Sequence, residues 1–203
     1  MRPKAIASVL AILLGGGLVL IAGKITDPET AEDKAQVLER KAADQQPAPR
    51  SETITPSEVQ AVDPAGVAPL DDAITCLARS IYWEAKGGAA ADMEGVASVV
   101  LNRLGHEGFP DTVCGVVKQG SEQHACQFSW WCDGRADQVQ EDEPYASAKE
   151  IARKALNQQL KDRTGGALYF HDRHVHPEWA REYRKTAETG KFLFYKPRGD
   201  SAR

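Results

Sequence analysis

The sequence predicts an α+β domain, mainly helical with a small two-stranded sheet, preceded by a single transmembrane helix and a disordered spacer. Three observations lead there: an uncharged apolar run near the amino terminus, a proline-punctuated polar stretch after it, and, from about residue 71, helical apolar periodicity that gives way to two short aromatic runs. Only 42% of the 203 residues are hydrophobic, and they are spread so unevenly that just one part of the chain is suited to a core. The net charge of -4 gives no basic footprint of the kind nucleic-acid binders carry, and that class is set aside.

Residues 5–23 read AIASVLAILLGGGLVLIAG, uncharged between Lys4 and Lys24. A helix of that length reaches about 30 Å, the thickness of a bilayer core. Arg2 and Lys4 ahead of it favour a cytoplasmic amino terminus. The expectation is therefore a signal anchor over residues 1–24, single-pass in the inner membrane, with the rest of the chain in the periplasm. A cleaved signal peptide is the competing reading, and the many Ala and Gly residues of the run would make its anchoring marginal.

Residues 25–70 read as a stalk helix and a disordered linker. Asp27 and Pro28 supply a cap and first helical residue, with Glu29, Glu32 and Asp33 near the positive helix end. Ala31, Ala35, Leu38 and Ala42 recur at coiled-coil spacing but offer little to bury, so the helix is expected to be solvated. Pro47, Pro49, Pro56, Pro64 and Pro69 then punctuate a stretch too polar to order itself.

The folded unit is expected over residues 71–196, with 197–203 as a flexible tail. Asp71 caps a first helix whose Ile74, Leu77, Ala78, Ile81 and Ala85 share one face. Glu84 borders that face, and an acid held against apolar neighbours has its charged form disfavoured, which suits a general acid. The competing reading is a Glu84 that caps the helix or pairs with Lys86 or Arg79. Gly87 and Gly88 stop the helix and leave room for a ligand. A second helix opens at Asp92 and Glu94, buries Val96, Val99, Val100 and Leu104, and ends at Gly105. A third spans Thr112 to Gln119 behind Asp111. The longest starts at Glu143 and Pro144, carries Tyr145, Ala148, Ile151, Ala152 and Leu156 inward, and ends at Gly165 and Gly166. Ala167–Phe170 and Phe192–Tyr195 read as paired strands.

Between residues 121 and 142 lies a long insert without clear period, CQFSWWCDG at its middle; loops of that size are usually functional or pinned. The chain has four cysteines, Cys76, Cys114, Cys126 and Cys132. An even count in an exported region argues for two disulfides. Of three possible connectivities, Cys76 with Cys114 and Cys126 with Cys132 are expected. Zinc held with His124 is the rival, against finger spacing. The second metal alternative is His171, His174 and His176, which lack an accompanying base other than Glu178 or Asp172. Neither carries an expected cofactor, so none is assigned.

Taken together, CLARSIYWEAKG, VASVVLNR, FPDTVCGVV, CQFSWWCDG and GALYF resemble the SleB-type cell wall hydrolases, whose best-known members are spore cortex-lytic enzymes. The resemblance spans Cys76 to Tyr195 and none of the first 70 residues. It departs from the family pattern at Ala89, where Gly-Glu is usual, and at Asp92 and Met93, where Gly-Gln is. It implies a lysozyme- and lytic-transglycosylase-like fold that cuts peptidoglycan glycan strands between N-acetylmuramic acid and N-acetylglucosamine, with Glu84 of the EA motif as the catalytic acid. In a transglycosylase the sugar's own 6-hydroxyl attacks; a muramidase or phage-type lysin would need a second carboxylate. Asp133 is the nearest candidate, against the reading of an Asp-Gly turn. Gln127 and Ser129 would hydrogen-bond substrate, while Phe128, Trp130, Trp131 and Tyr169 offer flat faces, although Phe128 also reads as core. The protein is expected to act as a monomer. A non-catalytic glycan-binding module of the envelope is the alternative class, and the presence of Glu84 favours the enzyme.

Overall fold

The structure, a computed structural model, describes residues 29–199 with the exception of His124. The expected anchor, the Asp27–Pro28 cap and the last four residues lie outside that range. Among the described residues no helix is long and apolar enough to cross a membrane. The elements are α1 (Ala31–Ala43), α2 (Pro56–Ala61), α3 (Ala73–Ala85), α4 (Ala90–Arg103), α5 (Val113–Lys118) and α6 (Asp142–Leu156), followed by β1 (Tyr169–Asp172), β2 (Arg184–Glu188) and β3 (Phe192–Lys196).

Helix α3 is the centre, packed against α1, α4, α5 and α6. Asp72 caps it by accepting the Thr75 N–H at 2.8 Å. Apart from its last turn it is buried all round, Ile74, Leu77, Ala78 and Ile81 with Arg79 and Ser80 among them, as befits a helix with neighbours on every side. In α4 the acid three residues past the cap does the capping, the Asp92 carboxylate accepting the Ala89 N–H at 2.9 Å. Val96, Val99 and Val100 of α4 are buried, and Gly95 lets the Phe194 ring of β3 close onto the helix, because any side chain there would meet that ring. Helix α6 stops at Leu156, well before Gly165: Asn157 ends it and Gln158 turns to φ +54.

The sheet has three strands, not two. Its order is β1-β3-β2, antiparallel throughout, with Tyr169 opposite Tyr195 and Asp172 opposite Phe192. The expected pair is there, and β2 adds an edge strand with a bulge between Lys185 and Ala187. Its sequence, RKTAE, carries no apolar alternation, and none of its five residues is buried.

The larger correction concerns residues 29–70: the expected stalk helix forms as α1, but it is packed rather than solvated, and the stretch after it is folded rather than a disordered linker. Ala31, Ala35 and Leu38 of α1 are buried, as are Ile54, Val59, Val62 and Leu70. Thr30 and Thr55 close capping boxes at the starts of α1 and α2. Asn157 receives the segment from both sides, accepting the Ile54 N–H at 3.0 Å and donating to the Ile54 carbonyl at 2.8 Å. Composition undercounts such a segment: a few small apolar side chains suffice when α3 and α6 supply the surface they cover.

Both disulfides form as expected. Cys76–Cys114 joins α3 to α5 across a Cα separation of 5.3 Å, and Cys126–Cys132 closes the aromatic loop across 6.2 Å.

Candidate active site

Glu84 sits in the last turn of α3, half-buried, where two clefts meet. The first, about 530 Å³, is walled by Arg103, Gln127, Tyr169, His171, Trp179 and Tyr183. The second, about 540 Å³, is walled by Trp83, Lys86, Trp130, Asp133, Asp137 and Gln140. Glu84, Ser129 and Lys191 line both. A chain-like ligand laid through the two would cross the Glu84 carboxyl near its middle.

Loss of water raises the Glu84 carboxyl from 4.5 to about 7, and the Lys191 and Arg103 cations pull it back only in part. Neither ion-pair partner considered from the sequence takes it. Lys86 Nζ binds Glu141 at 2.9 Å and Arg79 binds Asp63 at 2.7 Å.

Lys191 reaches the site because its loop is pinned. Asp92, buried in the first turn of α4, accepts the Lys191 N–H at 2.8 Å, which fixes the turn between β2 and β3. From there the Lys191 ammonium donates to the Glu84 carbonyl and lies 5.0 Å from the Phe192 ring centre. Asp92, which departs from the family-like pattern, thus anchors the cation beside the acid.

Arg103 ends α4 and is buried. Its Nε donates to the Leu168 carbonyl at 2.8 Å, and its guanidinium lies 5.1, 5.3 and 5.7 Å from the ring centres of Phe109, Phe128 and Tyr169. Burial draws its pKa down to about 10, opposed by Tyr169 and Glu84, so it stays charged at neutral pH. Its Nη1 has no hydrogen-bond partner among the described residues. The neighbouring Asn102 donates to the Ala167 carbonyl at 3.1 Å. The Asn-Arg pair therefore sets where β1 begins, and with it Tyr169.

Tyr169, Trp179 and Tyr183 form an aromatic wall, with ring centres 4.9 Å apart for Tyr169 and Tyr183 and 5.5 Å for Trp179 and Tyr183. His171 stacks on Tyr195 at 5.2 Å, its Nδ1 at 2.8 Å from the Asp172 carbonyl and its Nε2 at 3.2 Å from the Tyr195 hydroxyl. His174 and His176 are exposed on the following loop and line neither cleft.

Of the residues expected to meet substrate, Gln127, Ser129 and Tyr169 line the first cleft, and Ser129, Trp130 and Asp133 the second. Two are corrected. Phe128 is fully buried between Arg103 and Phe170 and cannot present a face to a sugar. Trp131 lines neither cleft; it covers Lys118, whose ammonium lies 5.1 Å from its ring centre. Trp130 is 6% exposed, and its indole N–H has no hydrogen-bond partner among the described residues. Asp133 accepts the Arg135 N–H at 2.8 Å, the turn that its Asp-Gly sequence suggested. Sequence reasoning missed Lys191, Trp179 and Tyr183. The last two had a signal, aromatics four apart in the otherwise polar PEWAREY.

A family model for cell wall hydrolases matches residues 87–195. The chain is 34% identical over 109 residues to a spore cortex-lytic enzyme of Halalkalibacterium halodurans, covering 53% of this chain and 28% of that protein. It is 31% identical over 126 residues to one of Bacillus cereus, covering 61% and 44%. The chain thus spans less than half the length of either relative. Among solved structures, the catalytic domain of the Bacillus cereus SleB protein matches with a TM-score of 0.50 and 29% identity, over 61% of this chain and 88% of that one. The catalytic domain of the germination-specific lytic transglycosylase SleB from Bacillus anthracis matches with a TM-score of 0.50 and 28% identity, over 64% and 98%.

Proposed function

The chain belongs to the cell wall hydrolase family, and on that premise we propose that it cuts peptidoglycan glycan strands between N-acetylmuramic acid and N-acetylglucosamine as a lytic transglycosylase, with Glu84 as acid and then base. The observation that carries the reading is the place of Glu84: a carboxyl held near 7 by burial, at the junction of two clefts. The names of the relatives, a spore cortex-lytic enzyme and a lytic transglycosylase, support the substrate class and the reaction.

A strand threaded through both clefts sets a glycosidic oxygen over Glu84. Protonated Glu84 gives its proton to that oxygen as the bond to the muramyl anomeric carbon breaks, and the N-acetylglucosamine leaves with a free 4-hydroxyl. The new carboxylate forms within the field of Lys191 and Arg103, which were in place before the reaction and need no rearrangement to stabilise it. The 6-hydroxyl of the muramyl residue then closes on the anomeric carbon while its proton returns to Glu84. Tyr169, Trp179 and Tyr183 offer ring faces to the sugars, and Gln127 and Ser129 offer hydrogen bonds to acetamido and hydroxyl groups.

A hydrolytic muramidase is the second reading, favoured by Asp133 and Asp137 in the same cleft as Glu84. Burial and the nearby Asp133 raise the Asp137 carboxyl. Mass spectrometry of a peptidoglycan digest separates the two: anhydro-muramyl ends, one water lighter, support the transglycosylase, and reducing muramyl ends the hydrolase. For location, the apolar run at 5–23 and the two disulfides support a periplasmic domain anchored in the inner membrane. Fractionation of cells into membrane and soluble periplasm tests the anchor.

A further inference from the structure

One wall of the second cleft is the loop 133–140, and what holds it is unevenly shared. The Asp137 carbonyl accepts from Arg79 Nη1 at 2.6 Å and from Trp83 Nε1 at 3.2 Å. The Gln140 N–H donates to the Tyr82 hydroxyl at 3.1 Å. These three side chains come from α3, the helix that carries Glu84. The remaining tie comes from the amino-terminal segment, where the Gly66 carbonyl accepts the Val139 N–H at 3.0 Å.

The same segment also aims Arg79. Asp63 Oδ2 accepts both Nε at 3.0 Å and Nη2 at 2.7 Å, which leaves Nη1 directed at Asp137. Asp63 is itself fixed from three directions: Oδ1 accepts the Val67 and Ala68 N–H groups at 2.8 Å each, and Oδ2 accepts the Tyr145 hydroxyl at 2.7 Å. Arg79 is 2% exposed and Asp63 7%, so water offers neither another partner. Gly66, at φ +66, lies against the Val139 side chain, and a methyl group there would press on the loop.

We infer that residues 63–66, outside the stretch the family model matches, set the wall of the second cleft, with Asp63 a positioning residue that acts through Arg79 on Asp137. Substrate seated in that cleft therefore depends on a segment that composition marks as linker. The inference rests on the glycan-cleaving reading of the site. It separates two roles along the same helix: Glu84 moves the proton, and Arg79, five residues before it, holds the wall.

The test uses the full-length chain and soluble glycan strands, with folding checked by circular dichroism. Gly66→Ala is the main variant, because it presses on the loop and removes no charge; Asp63→Asn is the second. The expected result for Gly66→Ala is a KM raised about fivefold or more, kcat within twofold of wild type, and an unmoved alkaline limb of the pH profile. Adding Val139→Gly to Gly66→Ala brings KM part of the way back, because the added methyl group meets Val139 Cβ, an atom that alanine would keep, while the strain of alanine at positive φ stays. Asp63→Asn raises KM in the folded fraction. A Gly66→Ala chain that folds with unchanged KM overturns the inference, and so does one that fails to fold, since the segment would then have a purely structural role. Wild type that does not cut glycan strands at all is a different result: it defeats the functional reading and takes this inference with it.

Discussion

Glu84→Gln keeps the shape of the side chain and removes its ionisation, so its effect on stability measures how strongly the site resists the charge. The folded carboxyl is held at about 7 against an ordinary 4.5. At about 1.4 kcal/mol per pKa unit, ionising it in place costs the native state about 3 kcal/mol. The sign follows from the direction of the shift. The folded state binds this proton more tightly than the unfolded chain does, so stability is intact below about pH 4.5, falls as pH rises towards 7, and stays reduced above it. Glutamine carries no such cost at any pH. The melting temperatures of wild type and variant, followed by circular dichroism, therefore run close together near pH 4 and separate by pH 8, with the variant higher. For a domain of this size about 3 kcal/mol corresponds to roughly 6–12 °C, an upper bound because the buried amide has its own desolvation cost. A difference that is the same at pH 4 and pH 8, or a wild type that melts higher at pH 8, would refute the burial argument.

Lys191→Met removes a cation that lowers the Glu84 pKa, so the alkaline limb of kcat/KM, near pH 7 in wild type, moves to higher pH; an unmoved limb denies Lys191 that role. Trp179→Ala takes out one panel of the aromatic wall and raises KM for glycan strands about threefold to tenfold with kcat little changed, as steady-state kinetics would show. Opening the Cys126–Cys132 bridge by a double change to serine frees the loop that carries Gln127, Ser129 and Trp130, and is expected to lower kcat/KM while the far-ultraviolet circular dichroism is kept. Deleting residues 29–70 strips Asp63 from Arg79 and the Ile54 carbonyl from Arg153. Breaking such a buried pair costs about 3–5 kcal/mol, so the shortened chain is expected to lose its cooperative thermal transition.

The parts of the fold legible in the sequence were those where local pattern and tertiary burial agree. Ile74, Leu77, Ala78 and Ile81 announce α3, Val96, Val99 and Val100 announce α4, and the aromatic runs announce β1 and β3. Of the amino-terminal segment the helix α1 was legible, but its packing and the order of residues 44–70 were not, because that order is borrowed. Leu38, Ile54 and Val59 mean little until α3 and α6 present the surface they cover, and Asp63 gives no signal until Arg79 stands opposite. The exposed strand β2 was missed for a related reason: its pairing comes from β3 rather than from its own side chains.

At the site, Glu84 stood out because an acid bordering an apolar helix face breaks the pattern that a surface residue follows. Lys191 had no comparable signal. It lies 107 residues further along, and tertiary contacts of the turn between β2 and β3, with Asp92 and with Arg173, bring it to the end of α3. The CQFSWWCDG loop was recognised as a unit, yet its residues divided differently from expectation. Ser129 faces both clefts and Trp130 the second, while Phe128 and Trp131 serve packing. Adjacent aromatic residues in a loop point in different directions, and composition does not say which side each faces.

The most direct test is the rate at which wild type and Glu84→Gln release fragments from purified peptidoglycan at pH 6, with the variant's fold verified in the same preparation. The expected result is that wild type cuts glycan strands and that the variant is slower by at least about a hundredfold, the scale of a lost general acid. A folded Glu84→Gln protein that cuts at the wild-type rate would contradict it.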